Sequence, residues 1–224
     1  MSISNLLFIF SSSFMALFPV INPLGNSFIV NGFLTGLNDQ QRKSAIRKIV
    51  TNYLLIGIGT LVIGHLFLLL FGLAIPVIQL GGGILICKTA MALLSDAGTT
   101  SNDEPKQTLD NPKWKEIERK LFYPITFPMS IGPGSISVIF TLMASASIKG
   151  SFIKTGINYS VIALAIICMA SMLYIFLSQG RKMMEKLGTA GNLIINKLVA
   201  FFTFCIGIQI IVTGISTIFH VDIL

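Results

Sequence analysis

Two segments, FPVINPLGN (Phe18–Asn26) and FPMSIGPGS (Phe127–Ser135), interrupt long apolar stretches, and their reading decides the fold. A constant offset of 109 residues relates Phe18 to Phe127, Pro19 to Pro128 and Gly25 to Gly134. Proline has no N–H, and its ring clashes with the preceding helical turn. Glycine supplies the backbone freedom that such an interruption needs. Paired Pro/Gly breaks at corresponding positions in two halves of a membrane chain point to a solute site near the bilayer midplane.

Working outward from the breaks, the 224 residues are 53% hydrophobic and only 11% charged, against about 25% charge in an ordinary soluble domain. A span needs about 20 apolar residues, and six stretches qualify. They cover about residues 3–34 (broken at 19–26), 50–72, 76–94, 120–147 (broken at 124–134), 155–178 and 193–219. The stretch from Ile3 has no basic region before it and is expected to be a first span rather than a cleaved signal. The expected fold is an all-α membrane protein of six transmembrane helices. It divides into a first three-helix repeat at 1–95, a cytoplasmic linker at 96–118 and a second three-helix repeat at 119–224, all in one integral membrane domain. Asn38 with Gln41 predicts a helix start. The turn-rich linker is expected to be solvated, with a short helix at 112–120 and Trp114 at the membrane interface.

Charge sets the expected orientation. The loops after spans one, three and five hold Arg42, Lys43, Arg47 and Lys48; Lys106, Lys113, Lys115, Arg119 and Lys120; and Arg181, Lys182, Lys186 and Lys197. The opposite side holds Lys149 and Lys154. The excess places the basic loops in the cytoplasm and both termini outside. With three spans in each half, the halves enter from opposite sides and form inverted repeats.

The breaks carry the candidate site: Asn22, Pro23, Gly25 and Asn26 in the first, and Thr126, Ser130, Gly132, Pro133, Gly134 and Ser135 in the second. Second half-helices are expected to begin at Gly25–Asn26 and Gly134–Ser135. Their N-termini would present free N–H groups and partial positive charge, which suit a carboxylate. Exposed carbonyls and the Asn, Thr and Ser side chains suit an ammonium group, so the expected partner is a small zwitterionic solute in a lipid bilayer.

Other chemistry has little support. No Asp or Glu and no His pair falls inside a span, and no HExxH is present, so no enzyme, metal or cofactor is expected. His65 is read as a hydrogen-bonded structural residue or a proton carrier, and Lys88 as snorkelling to the cytoplasmic surface. Cys87, Cys168 and Cys205 lie in apolar runs without CxxC spacing and read as small hydrophobes. The basic excess belongs to the membrane orientation, not to nucleic-acid binding. Gly81–Gly83 predict close helix packing, Gly32 and Gly36 form a GxxxG compatible with homo-oligomers, and Ser11–Ser13 are expected to bond between helices.

The segments NPLGN (22–26), GLAIPVIQLGGGILI (72–86), FPMSIGPGSI (127–136) and GIQIIVTGI (207–215) resemble the MarC family of bacterial inner-membrane proteins over nearly the whole chain. The family is similar to amino-acid exporters built from six helices in two inverted threes. The resemblance implies a secondary transporter, an exporter of small neutral amino acids or similar metabolites, with motif residues Asn22, Pro23, Gly25, Gly132, Pro133 and Gly134. It also implies location in the bacterial plasma (inner) membrane. Phe28 and Ile131 depart from the residues common in the family and flank the expected site. The alternative is an accessory or assembly protein without transport. A thiol-redox carrier would need two sulfurs in reach, and neither break contains a cysteine.

Overall fold

A computed structural model describes residues 2–34, 36–95, 114–148 and 150–219. Most of the expected linker, residues 96–113, lies outside the described residues. The described chain is helical throughout: α1 Ile3–Ile21, α2 Pro23–Phe33, α3 Asp39–Phe71, α4 Ile75–Ser95, α5 Trp114–Lys120, α6 Pro133–Ala146 and α7 Phe152–Phe219, with a wide-turned π-type segment Leu121–Ser130 before α6. Five helical stretches are long and apolar enough to cross a membrane, or six when the bent pair Ile117–Ser130 and Pro133–Ala146, angled at 55°, counts as one. Large apolar side chains such as Leu7, Val62, Leu66 and Phe152 point outward, as a lipid solvent permits.

Local chemistry explains the boundaries. The Gln41 N–H donates to Asn38 Oδ1 at 2.8 Å and the Asn38 N–H to Gln41 Oε1 at 3.3 Å, a reciprocal capping box. This starts α3 at Asp39, eleven residues before the expected apolar span. Lys48 pairs with Glu118 and lies over the Trp114 ring, 5.8 Å from its centroid, joining α3 to α5 at the basic end. The expected short helix is thus present from Trp114 onward.

Spans five and six both fall within α7, whose 68 residues would measure about 100 Å if straight. Its contacts exclude that shape. Asn158 and Tyr159 bond the carbonyls of Ala146 and Met143, so Phe152–Gly180 runs back along α6. On α6, Ser137 meets Ile78 and Gly134 meets Ile86, so α6 is antiparallel to α4. Gly214 lies against Pro76 and Gln79, Gly207 against Gly83 and Cys87, and Lys197 Nζ bonds the carbonyls of Leu93 and Leu94. Leu193–Phe219 is therefore antiparallel to α4 as well. The two parts of α7 run in opposite directions, and the chain reverses between Gly180 and Leu193.

Small residues set the packing distances. A Cβ on Gly82 would fall on Ser137, and one on Gly83 would come within 2.8 Å of the Gly207 carbonyl. The close packing expected of the glycine run is therefore made by Gly82 and Gly83, whereas Gly81 has nothing near it. Two other expectations are corrected. α2 ends at Phe33, and Gly36 lies beyond it with φ 85°, so Gly32 and Gly36 share no helix face. Ser11 and Ser12 bond the carbonyls of Leu7 and Ile9 on their own helix rather than a neighbour.

Candidate functional site

The first break is made by one residue. Asn22 ends α1 and begins α2 in the left-handed region, with φ 44° and ψ 64°, a conformation that Asn tolerates better than most side chains. Its Oδ1 accepts the Gly25 N–H at 2.9 Å, and its carbonyl accepts the Asn26 N–H at 2.8 Å. Pro23 occupies the first helical position, where a missing N–H costs nothing. The half-helix therefore begins at Pro23 rather than Gly25–Asn26, and its N-terminus is capped by its own chain. A carboxylate would find most of these donors already engaged.

The second break is built differently. The π-type segment contains Pro124 and Pro128, each after a cis peptide bond, and has extended backbone at Tyr123 and Phe127. Thr126 Oγ1 donates to the Leu121 carbonyl at 2.6 Å, and Ser130 Oγ to the Ile125 carbonyl at 2.9 Å. These hydroxyls serve the backbone of the segment. Gly132 is extended, Pro133 opens α6, and no side chain caps this helix. Pro133 has no N–H, so the first donors of α6 are those of Gly134 and Ser135, left uncapped at the positive end of the helix.

A cavity of about 370 Å³ joins the two breaks, within the range of small-molecule sites. Of the ten residues singled out from the sequence, Asn22, Asn26, Gly132, Pro133, Gly134 and Ser135 line it. Pro23, Gly25, Thr126 and Ser130 are buried and do not. Phe28 and Ile131, expected to flank the site, also lie outside the lining, and Ile131 packs toward Gly57.

Asn26 is the polar centre of this wall. Its side chain is 5% exposed, and Oδ1 receives Ser130 Oγ at 3.4 Å. Its Nδ2 has no hydrogen-bond partner among the described residues. A buried amide donor without a partner is unfavourable unless something else accepts from it.

The end of α1 carries the complementary charge. The last carbonyls of α1 have no partner within the helix. The Asn22 N–H takes the Phe18 carbonyl, and Thr203 Oγ1 takes that of Pro19 at 2.8 Å. Val20 and Ile21, the next two residues, line the cavity at the negative end of α1. The cavity thus lies between the α1–α2 junction, which holds the C-terminus of α1 and the capped N-terminus of α2, and the uncapped N-terminus of α6.

Sequence reasoning missed α4 and α7 in this site. Leu85, Ile86, Thr89 and Leu93 form one stripe of α4, and Thr203 comes from α7. Thr203 is a lone hydroxyl in an apolar run, and only the antiparallel packing brings it to Pro19. The stripe carries the cavity from the breaks toward the end of the molecule that holds the basic residues. Ile29 and Leu85, 48% and 45% exposed, mark its open side. Lys88 is exposed outside the cavity, and the His65 side chain lies outside the described residues. No His, Cys, Asp and Glu group able to hold a metal occurs among the described residues.

These features define a helical integral membrane protein with a partly polar cavity between two broken helices. The chain belongs to the MarC family of integral membrane proteins, whose model matches residues 7–219. It is 27% identical to the UPF0056 membrane protein YvbG of Bacillus subtilis, with 93% of this chain and 94% of the relative covered. It is 25% identical to a UPF0056 membrane protein of Pyrococcus abyssi over 95% of this chain and 96% of the relative. The UPF0056 inner membrane protein MarC of Escherichia coli is 24% identical, with 90% and 91% covered. No solved structure matches the chain.

Proposed function

We propose that this protein is a secondary transporter, an exporter of small neutral amino acids or similar zwitterionic metabolites, working by alternating access of two inverted three-helix repeats. The observation that carries the reading is the pairing of opposite helix ends across one cavity. The uncapped Gly134 and Ser135 amides and the Asn26 Nδ2 would take a carboxylate. The α1 carbonyls of Val20 and Ile21, with the Asn22 side chain beside them, would take an ammonium group. Half-helix ends used this way are a recurring transporter device. The Ile86 and Val20 side chains crowd Gly134, at 2.7 and 3.8 Å from a Cβ placed there, which favours a small solute. In this reading no enzyme chemistry and no cofactor take part.

The α4 stripe of the cavity extends toward the basic loops, which the positive-inside rule assigns to the cytoplasm. Both termini then face outside, in an inner membrane like that named for the Escherichia coli relative. The test is counterflow in liposomes holding the purified protein, preloaded with alanine, glycine, serine or threonine against labelled tracer. The expected result is tracer uptake that Gly134→Val abolishes in folded protein. Absence of exchange with all four would favour the accessory role.

A further inference from the structure

Of the four other buried side-chain atoms without a hydrogen-bond partner among the described residues, those of Ser13 and Gln79 lie on α1 and α4, away from the cavity. Ser13 on α1 is 1% exposed and Gln79 on α4 is 3% exposed. Neither Ser13 Oγ nor Gln79 Oε1 has a hydrogen-bond partner among the described residues. Ser11 and Ser12 do bond carbonyls of their own helix, so the bare Ser13 hydroxyl is not a general property of serine on α1.

Their positions are related. Ser13 precedes Val20 by seven residues, and Gln79 precedes Ile86 by seven. Seven residues are two helical turns, which return to the same face about 10 Å away. Val20 and Ile86 line the cavity, and both approach the same point, the Cβ position of Gly134. Ser13 and Gln79 therefore stand at one level, on the stripes of α1 and α4 that carry Val20 and Ile86, with the Gln79 Cβ also against Gly214 of α7. They lie about 10 Å from the cavity toward the end opposite the basic loops.

Between that level and the cavity, both helices carry buried residues. Leu17, fully buried, occupies the turn of α1 between Ser13 and Ile21. On the facing side Gly82 is pressed against Ser137, whose Oγ donates to the Ile78 carbonyl at 2.9 Å.

We infer that Ser13 and Gln79 line the outward half of the solute route, closed in this conformation by Leu17 and the Gly82–Ser137 contact. This rests on the transport reading. Polar atoms that lack partners when the route is closed gain them when it opens to water and solute. The two side chains supply hydroxyl and amide groups that a zwitterion can exchange for water on its way out.

The test is accessibility from outside. Ser13→Cys and Gln79→Cys are made singly in protein whose three native cysteines are replaced by alanine. Intact cells are treated with a membrane-impermeant, positively charged methanethiosulfonate. Ile166→Cys serves as reference, since Ile166 is equally buried but packs toward Gly57. Labelling at both positions at least tenfold faster than at Ile166→Cys, and changed by saturating alanine, is the expected result. Rates no faster than the reference, in protein that elutes as folded material, overturn the inference. Counterflow by the parent protein is measured alongside. Exchange without labelling removes the route and leaves the transport reading. Labelling that occurs without exchange keeps the route and removes the amino-acid solute.

Discussion

At the residue scale the chain uses similar side chains for two different purposes. Asn26 and Thr126 are both buried polar residues beside a break. Thr126 is satisfied by the Leu121 carbonyl, whereas Asn26 Nδ2 has no partner among the described residues. The two should therefore separate in mutants. In the proposed transport, Asn26→Ala would remove a donor to the solute carboxylate, worth about 1.5–3 kcal/mol, or about 10–100-fold in affinity. The apparent KM for exchange should rise by at least about tenfold with little loss of thermal stability. Thr126→Val should leave KM within about twofold and lower the unfolding midpoint in detergent, by the roughly 1 kcal/mol of a lost internal bond. Parallel KM and melting measurements on the two variants check this; a KM effect of equal size at Thr126 would place that residue in the site. Both residues were visible in the sequence as polar groups near a break. Their division of labour was not, because a hydroxyl five residues from a free carbonyl is seen only once the π-type turns are formed.

Among the elements, the pairing of α4 with α6 and with Leu193–Phe219 governs the cavity. α4 can lie this close to both because Gly82 and Gly83 have no side chain to separate the helices, the usual role of small residues in membrane packing. Gly82 is the sharper probe, since its contact belongs to the proposed outer seal. Gly82→Ala puts a methyl group where Ser137 stands, an overpacking that typically costs about 1–3 kcal/mol. Opening the seal relieves the overlap. The expected outcome is a several-fold faster reaction of Ser13→Cys with the impermeant reagent in the Gly82→Ala background. An unchanged rate would show that the α4–α6 contact does not gate this route. The glycine run announced close packing by its composition. Which glycine meets which helix depended on the reversal within α7, to which an apolar run with basic residues near its middle gave no register.

On the scale of the whole molecule, the cavity runs along α4 from the breaks to Leu93, toward the end that holds the basic residues. The positive-inside rule predicts that this end is cytoplasmic. A cysteine placed at Ser2 in the cysteine-free protein should react with impermeant reagent in intact cells, and one at Ser44 only after the membrane is permeabilised. The reverse pattern would invert the molecule and turn the proposed outer seal into a cytoplasmic one.

Hydropathy, the positions of Pro and Gly and the count of basic residues were enough to read an all-helical membrane protein and its two breaks. Those properties are local: each follows from how a short stretch meets lipid or from whether a backbone N–H exists. The family resemblance was legible in the same motifs. The site was legible in part. Asn22, Asn26 and Gly132–Ser135 reach the cavity, while Pro23, Gly25, Thr126 and Ser130 support it from behind. Tertiary structure decided the rest. It capped the start of α2 with Asn22 and left the start of α6 uncapped at the same cavity. It also brought in Thr203 and the α4 stripe, and aligned Ser13 with Gln79. The physical reason is that a cavity is formed by which helix faces meet, and meeting faces are set by packing between residues far apart in the chain.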